Sequence, residues 1–241
     1  MHFFWGALTV ALVYPLIGTA PRLWLKQRWS RQLLEILAVR LEATDPPVAG
    51  CLFVSNHVSW LDIFALNALR PMAFVAKSEV RTWPFIGWLS AATDTLFLSR
   101  ERRRHAGEIN AAMRRALAAG KDLAYFPEGT TSDGSCVLAF HGALLQSAID
   151  ASCSVQPVAL SYRDAEGNPS RAPAYAGETT MAESLAAILA CRRLSVRLCV
   201  TPPIESAGRS RGELAEIARR AIVECLEAEA AHGDGAEGIG A

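Results

Sequence analysis

Apolar runs of strand length alternate with helix-length stretches from residue 50 to about 230, and an uncharged apolar segment followed by basic residues precedes them. These two patterns predict an α/β fold: a mixed central sheet flanked by helices, with an N-terminal membrane-associated helical segment. A chain of 241 residues supports one core of useful size. The expected boundaries are 1–44 for N-terminal membrane-anchoring helices, 45–232 for the α/β domain and 233–241 for a flexible Gly- and Ala-rich tail.

From Phe3 to Ala20 there is no charge, and Phe3 through Ile17 is strongly apolar. Eighteen residues reach about 27 Å as a helix, marginal for a bilayer crossing, and Pro15 and Gly18 weaken its second half. A cleaved signal peptide would want basic residues before the apolar run; here they follow it, which favours a cytoplasmic domain at the inner (cytoplasmic) membrane. A buried core helix is the remaining alternative. Leu23, Trp24, Leu25, Leu33, Leu34, Ile36, Leu37 and Leu41 then recur at helical spacing among Arg22, Lys26, Arg28 and Arg31. That pattern suits a helix in the headgroup layer, or an ordinary surface helix packed on its own domain.

Asp45-Pro46-Pro47 breaks the pattern. Strands are expected at 50–55, 72–76, 95–99, 122–126, 153–161 and 194–201, with helices near 61–70, 102–119, 138–149, 180–192 and 210–230. In such a domain the functional residues sit where strands end and helices begin.

Twenty-four basic residues balance 24 acidic ones, which argues against a nucleic-acid partner. With 20% charged residues and a mean hydropathy of +0.18, the chain is not a disordered one. The neutrality hides an asymmetry. Residues 1–40 carry five basic residues against Glu35, the footprint of a membrane surface. No two of the six cysteines are spaced C-x-x-C, so no zinc or redox pair is signalled and buried free thiols in a reducing compartment are expected.

Four blocks carry chemistry. His57 leaves the strand Cys51–Val54, and Asp62 stands near the start of the next helix. A fold-back of one turn lets Asp62 accept the imidazole N–H and leaves the other nitrogen basic; the alternative is a turn histidine with Asp62 as N-cap. Arg100, Arg102, Arg103 and Arg104 follow the strand expected at 95–99, where they grip an anion or form a solvated helix start. Tyr125-Phe126-Pro127-Glu128 meets a turn rich in Gly, Thr and Ser, whose free N–H groups bind an anion or orient a hydroxyl, or simply connect two elements. Ser135 stands where a phosphate loop needs lysine, which excludes that motif. Finally, Pro157 interrupts an apolar strand, so an edge, a bulge or a wall beside a ligand is expected unless the strand is ordinary core.

In order, these blocks resemble the lysophospholipid acyltransferase family. Asn56-His57-Val58-Ser59-Trp60-Leu61-Asp62 matches NHxSxxD, Phe97 to Arg104 matches FIxRxxxR, Phe126 to Thr130 matches FPEGT, and Val155 to Leu160 is similar to the VxPVxx block. Lys77-Ser78-Glu79 and Trp83-Pro84-Phe85-Ile86-Gly87-Trp88 also look typical. The resemblance implies that His57, oriented by Asp62, is the general base that lets an acceptor hydroxyl attack an acyl thioester directly. It implies substrate-binding roles for Lys77, Arg100, Arg104, Glu128, Gly129 and Thr130, with Arg100 on the acceptor's phosphate. It implies no metal and no cofactor beyond acyl-CoA or acyl-carrier-protein as co-substrate. The expected partners are a lysolipid acceptor, that thioester and the membrane, with 1-acyl-sn-glycerol-3-phosphate as the first-choice acceptor.

Two departures bear on the acceptor. Thr131 replaces the arginine of the usual EGTRS, and Asp94 replaces the glycine that commonly precedes the second block. Losing a guanidinium weakens a grip on a phosphate dianion, so lyso-ornithine lipid is the alternative acceptor. From other classes, a serine hydrolase lacks its G-x-S-x-G elbow here, and a non-catalytic anionic-lipid-binding protein would use the basic segments alone.

Overall fold

Side chains that point alternately to opposite faces of buried strands divide the core into two layers about one sheet. The computed structural model describes residues 1–83, 86–98 and 103–234. Seven strands pair in the order β1 (Val39–Ala43), β7 (Leu194–Val200), β6 (Val155–Arg163), β2 (Leu52–Ser55), β5 (Leu123–Tyr125), β3 (Ala73–Lys77) and β4 (Leu96–Leu98). Only β6 and β7 pair antiparallel, which makes the sheet mixed. The helices are α1 (His2–Leu8), α2 (Thr19–Ile36), α3 (Asp62–Leu69), α4 (Ile86–Ala92), α5 (Arg103–Ala118), α6 (Gln146–Ala151), α7 (Met181–Ala190) and α8 (Arg211–Asp234).

In β2, Phe53 points into one layer with Leu33 and Leu34 of α2, Ala65 and Leu66 of α3, and Ile188 of α7. Its neighbours Leu52 and Val54 point into the other, with Met113 and Leu117 of α5, Ala148 of α6, and Leu214 and Ala218 of α8. Helices therefore cover both faces of the sheet.

The N-terminal segment differs from the single helix expected. α1 passes into a π-turn (Thr9–Val13) and a 3-10 turn (Tyr14–Leu16), and the chain is extended at Ile17 before α2 begins. No helix among the described residues is long and apolar enough to cross a membrane. Pro15 lacks an N–H and cannot continue an α-helical ladder through this point. Gly6 admits the Trp29 indole: a Cβ there would lie 2.5 Å from Trp29 Nε1.

α2 packs on its own domain along one side. Leu33 and Leu34 are buried, and Gln27 Nε2 and Arg31 Nε donate to the carbonyls of Ala68 and Leu69 at the end of α3. Lys26 Nζ donates to the carbonyls of Met72 and Thr93, and burial lowers its pKa to about 8. Three of the four basic residues of this stretch, Arg22, Lys26 and Arg31, thus donate to backbone carbonyls, while Trp24 stays exposed beneath the Arg28 guanidinium.

Two further expectations, for β1 and for the thiols, are corrected, and Pro157 takes the ordinary-core alternative. β1 lies within the span expected to be helical; Val39 and Leu41 alternate with Arg40 and Glu42, a strand period too short to stand out. Pro157 sits in an interior strand, paired in register with Val54. Its carbonyl accepts from Thr201 N and Oγ1, so its nitrogen faces the side where β7 has ended, and no ladder bond is lost. The six thiols are not all free. Cys199 on β7 and Cys225 on α8 form a disulfide where that helix crosses the sheet, Cys51 is buried, and Cys136 is exposed. Asp94 adopts φ 66°, the left-handed region that explains a glycine preference there; aspartate tolerates it better than most side chains.

Candidate active site

Strands β2, β5, β3 and β4 are mutually parallel and adjacent, so all four open at one edge of the sheet. Val54 pairs with Tyr125, which puts His57 and Glu128 three residues beyond one rung. Phe74 pairs with Ala124 and Lys77 with Leu98, so Lys77, exposed, and the end of β4 open beside them. Arg100 itself lies outside the described residues. Arg104 belongs to the first turn of α5, and its side chain lies outside the described part.

The loop after β2 folds back on the start of α3. His57 Nδ1–H donates to Asp62 Oδ2 at 2.8 Å, and the same oxygen accepts the backbone N–H groups of Val58 and Ser59 at 2.8 and 2.9 Å. Asp62 is fully buried, and its Oδ1 accepts the Tyr162 hydroxyl at 2.6 Å. Four donors converge on a group that, ionised, only accepts. Burial, reinforced by the facing carboxylate, pushes the Tyr162 hydroxyl well above its ordinary pKa and keeps it a donor. With Nδ1 committed, Nε2 carries the lone pair, and it has no hydrogen-bond partner among the described residues.

One stacking contact fixes the imidazole, and hydrogen bonds to the backbone hold its loop. Its ring stacks on Phe126 with centroids 3.8 Å apart and planes 6° from parallel. Asn56 exchanges two hydrogen bonds with the Leu160 backbone, at 2.9 and 2.8 Å, and so ties the loop to β6. Ser132 N donates to the His57 carbonyl, and Tyr175 N to that of Val58. Tyr162, Phe126 and Asn56 carried no role in the sequence reading. Phe126 and Asn56 stood inside the motifs; Tyr162 lies 100 residues from Asp62 and had no signal.

Glu128 is buried beside the histidine loop. Its Oε1 accepts the His57 backbone N–H at 3.3 Å, and its Oε2 has no hydrogen-bond partner among the described residues. Burial raises its pKa to about 7, against the opposing pull of the His57 N–H. Gly129 turns the chain at φ 67°, and Thr130 is exposed at the rim. The Thr131 hydroxyl donates to the Tyr175 carbonyl and so faces the 171–180 loop.

A raised carboxyl pKa means that the folded state holds its proton more tightly than the unfolded chain. The Glu128 contribution to stability is therefore fully present below about 4.5 and is lost as pH rises through about 7. Glu128→Gln, which is neutral throughout, is expected to gain on wild type across this window, by about 2–3 kcal/mol at pH 8. Urea unfolding at pH 4.5 and pH 8 checks this; an equal effect at both would contradict it.

A carboxylate-steadied imidazole at the open end of a parallel sheet suits deprotonation of a hydroxyl. The Acyltransferase family profile matches residues 38–161, more than half of the chain. The chain belongs to the acyltransferase family. A lyso-ornithine lipid O-acyltransferase of Pseudomonas aeruginosa is 40% identical, with 82% of this chain and 78% of the relative covered. A 1-acyl-sn-glycerol-3-phosphate acyltransferase of Neisseria meningitidis serogroup B is 39% identical, with 74% and 72% covered. The fold matches the crystal structure of the 1-acyl-sn-glycerophosphate acyltransferase PlsC from Thermotoga maritima at a TM-score of 0.67, over 93% of both chains, with 21% identity. This acyltransferase thus shares the mixed sheet and flanking helices of that structure.

Proposed function

We propose that this acyltransferase moves a fatty acyl group from a CoA or acyl-carrier-protein thioester to the free hydroxyl of a lysolipid at the inner membrane, with its catalytic domain on the cytoplasmic side. The observation that carries the reading is the His57–Asp62 contact at 2.8 Å, with Nε2 left unpaired among the described residues. Nε2 takes the hydroxyl proton as the oxygen attacks the thioester carbonyl. The tetrahedral intermediate expels the thiolate, to which the imidazolium returns the proton. The products are an ester and a free thiol, with no acyl-enzyme, no metal and no cofactor.

The proposed acceptor is 1-acyl-sn-glycerol-3-phosphate, and Lys77, Arg100 and Arg104 are assigned to its phosphate. Glu128, Gly129 and Thr130 are assigned to the wall of the acceptor pocket. One observation favours a second acceptor, lyso-ornithine lipid: Thr131 brings no charge, and its hydroxyl is turned to Tyr175. Membrane contact is assigned to residues 1–36, where Phe4, Trp5, Leu12 and Leu16 are exposed ahead of the basic residues of α2 and Trp24 is exposed among them.

A panel of lysolipids with labelled acyl-CoA and acyl-carrier-protein tests the reading, and absence of transfer from both donors to every lysolipid would sink it. Thr131→Arg is expected to raise the preference for lysophosphatidate over lyso-ornithine lipid about tenfold, one charge-assisted contact. An unchanged ratio would remove Thr131 from the account of acceptor choice.

A further inference from the structure

Helix α7 presents its larger apolar side chains outward. Thr180 and Glu183 form a capping box that starts it, and Ser184 and Ile188 face inward. Ser184 Oγ accepts the Trp60 indole N–H at 3.1 Å, and Ile188 enters the core shared with α2 and α3. Met181, Leu185 and Leu189, one turn apart, are 42%, 36% and 59% exposed, with Ala182, Ala186 and Ala190 exposed between them. Water is a poor neighbour for such a face.

We propose that this face of α7 is a second membrane contact, seated on the anionic lipid surface beside the catalytic loop. It deepens the membrane reading above and rests on it. Three observations select the occupant. Arg192 and Arg193 follow the helix, both exposed and neither in an ion pair among the described residues, and they complement lipid phosphates. The acids near its start do not oppose this on the stripe itself: Glu183 is folded back onto the Thr180 N–H and hydroxyl, and Glu178 lies in the preceding loop. Three side chains expose far less than the roughly 800 Å² per partner that a stable dimer buries.

The two helical layers differ in the same sense. Among the described residues, no large apolar side chain is exposed on α5, α6 or α8, whereas the layer of α2, α3 and α7 exposes Trp24, Ile36, Met181, Leu185 and Leu189. Beneath that layer an aromatic chain runs from Trp60 through Phe64 and Trp29 to Phe3 of α1. It links α7 to the exposed N-terminal segment. Two contacts flanking the His57 loop would hold the hydroxyl of a lipid acceptor close to the imidazole.

The test is flotation of the full-length protein with phosphatidylethanolamine–phosphatidylglycerol vesicles and with phosphatidylcholine vesicles. The double substitution Leu185→Glu with Leu189→Glu is expected to weaken binding to both about tenfold or more. Arg192→Ser and Arg193→Ser are each expected to cost about fivefold on the anionic vesicles alone. Far-ultraviolet dichroism and transfer to a micellar lysolipid should stay at wild-type level. Wild-type binding by the double glutamate variant overturns the role of α7 while leaving the N-terminal contact standing, which Phe4→Ser with Trp5→Ser reads separately. No vesicle binding by wild type overturns both. A wild-type dimer that this variant splits would assign the face to a second copy instead.

Discussion

Alanine in place of His57 is expected to lower kcat by about 10²- to 10⁴-fold, the usual contribution of a positioned general base. The imidazole side chain is 17% exposed, stacks on Phe126 and holds one hydrogen bond, so its removal costs little of the core. Thermal unfolding and vesicle binding should therefore remain close to wild type, which separates lost chemistry from lost fold. Steady-state transfer of a labelled acyl group reads the effect. Turnover retained within a factor of a few would mean that another group takes the hydroxyl proton.

Asparagine in place of Asp62 is expected to cost a similar 10²- to 10⁴-fold in kcat for a different reason. An asparagine oxygen can still accept from Val58 N, Ser59 N and His57 Nδ1, and its amide can donate to Tyr162 if that hydroxyl reverses its role. The fold then survives, but the imidazolium formed during transfer has lost its counter-charge. kcat should fall while KM and thermal unfolding stay close to wild type, because only the transition state carries the imidazolium charge. A merely structural Asp62 would lower the protein's stability and leave kcat of the folded protein in place. Alanine at the same position leaves three buried donors unpaired and is expected to cost about 3–5 kcal/mol of stability.

Much of the architecture was legible in local pattern. The strands at 52–55, 73–77 and 194–200 and the helices at 62–69, 103–118 and 181–190 each announce themselves through runs of apolar residues and the breakers around them. Their boundaries agree with expectation within a few residues because burial selects the same side chains along the whole element. The N-terminal segment misled for the converse reason. Hydropathy describes composition, whereas the π-turn, the 3-10 turn and the extended Ile17 break up the helix around Pro15. The contacts of the basic residues of α2 had no local signal either: Lys26 and Arg31 find carbonyls at the ends of other elements, and no local pattern reveals where those ends lie.

By itself, the sequence determined most of the elements beyond residue 50, that strands lead into His57 and Glu128, and that His57 and Asp62 stand close enough along the chain to meet. Those properties follow from neighbours within a few residues. Tertiary structure alone decided that Tyr162 supplies the fourth donor to Asp62, that Phe126 holds the imidazole plane, and that Cys199 pairs with Cys225. It also decided that α7 turns its leucines outward. Such contacts join residues far apart in the chain, and they are set by strand order and register, which bring four strand ends to one edge and leave one helical layer apolar.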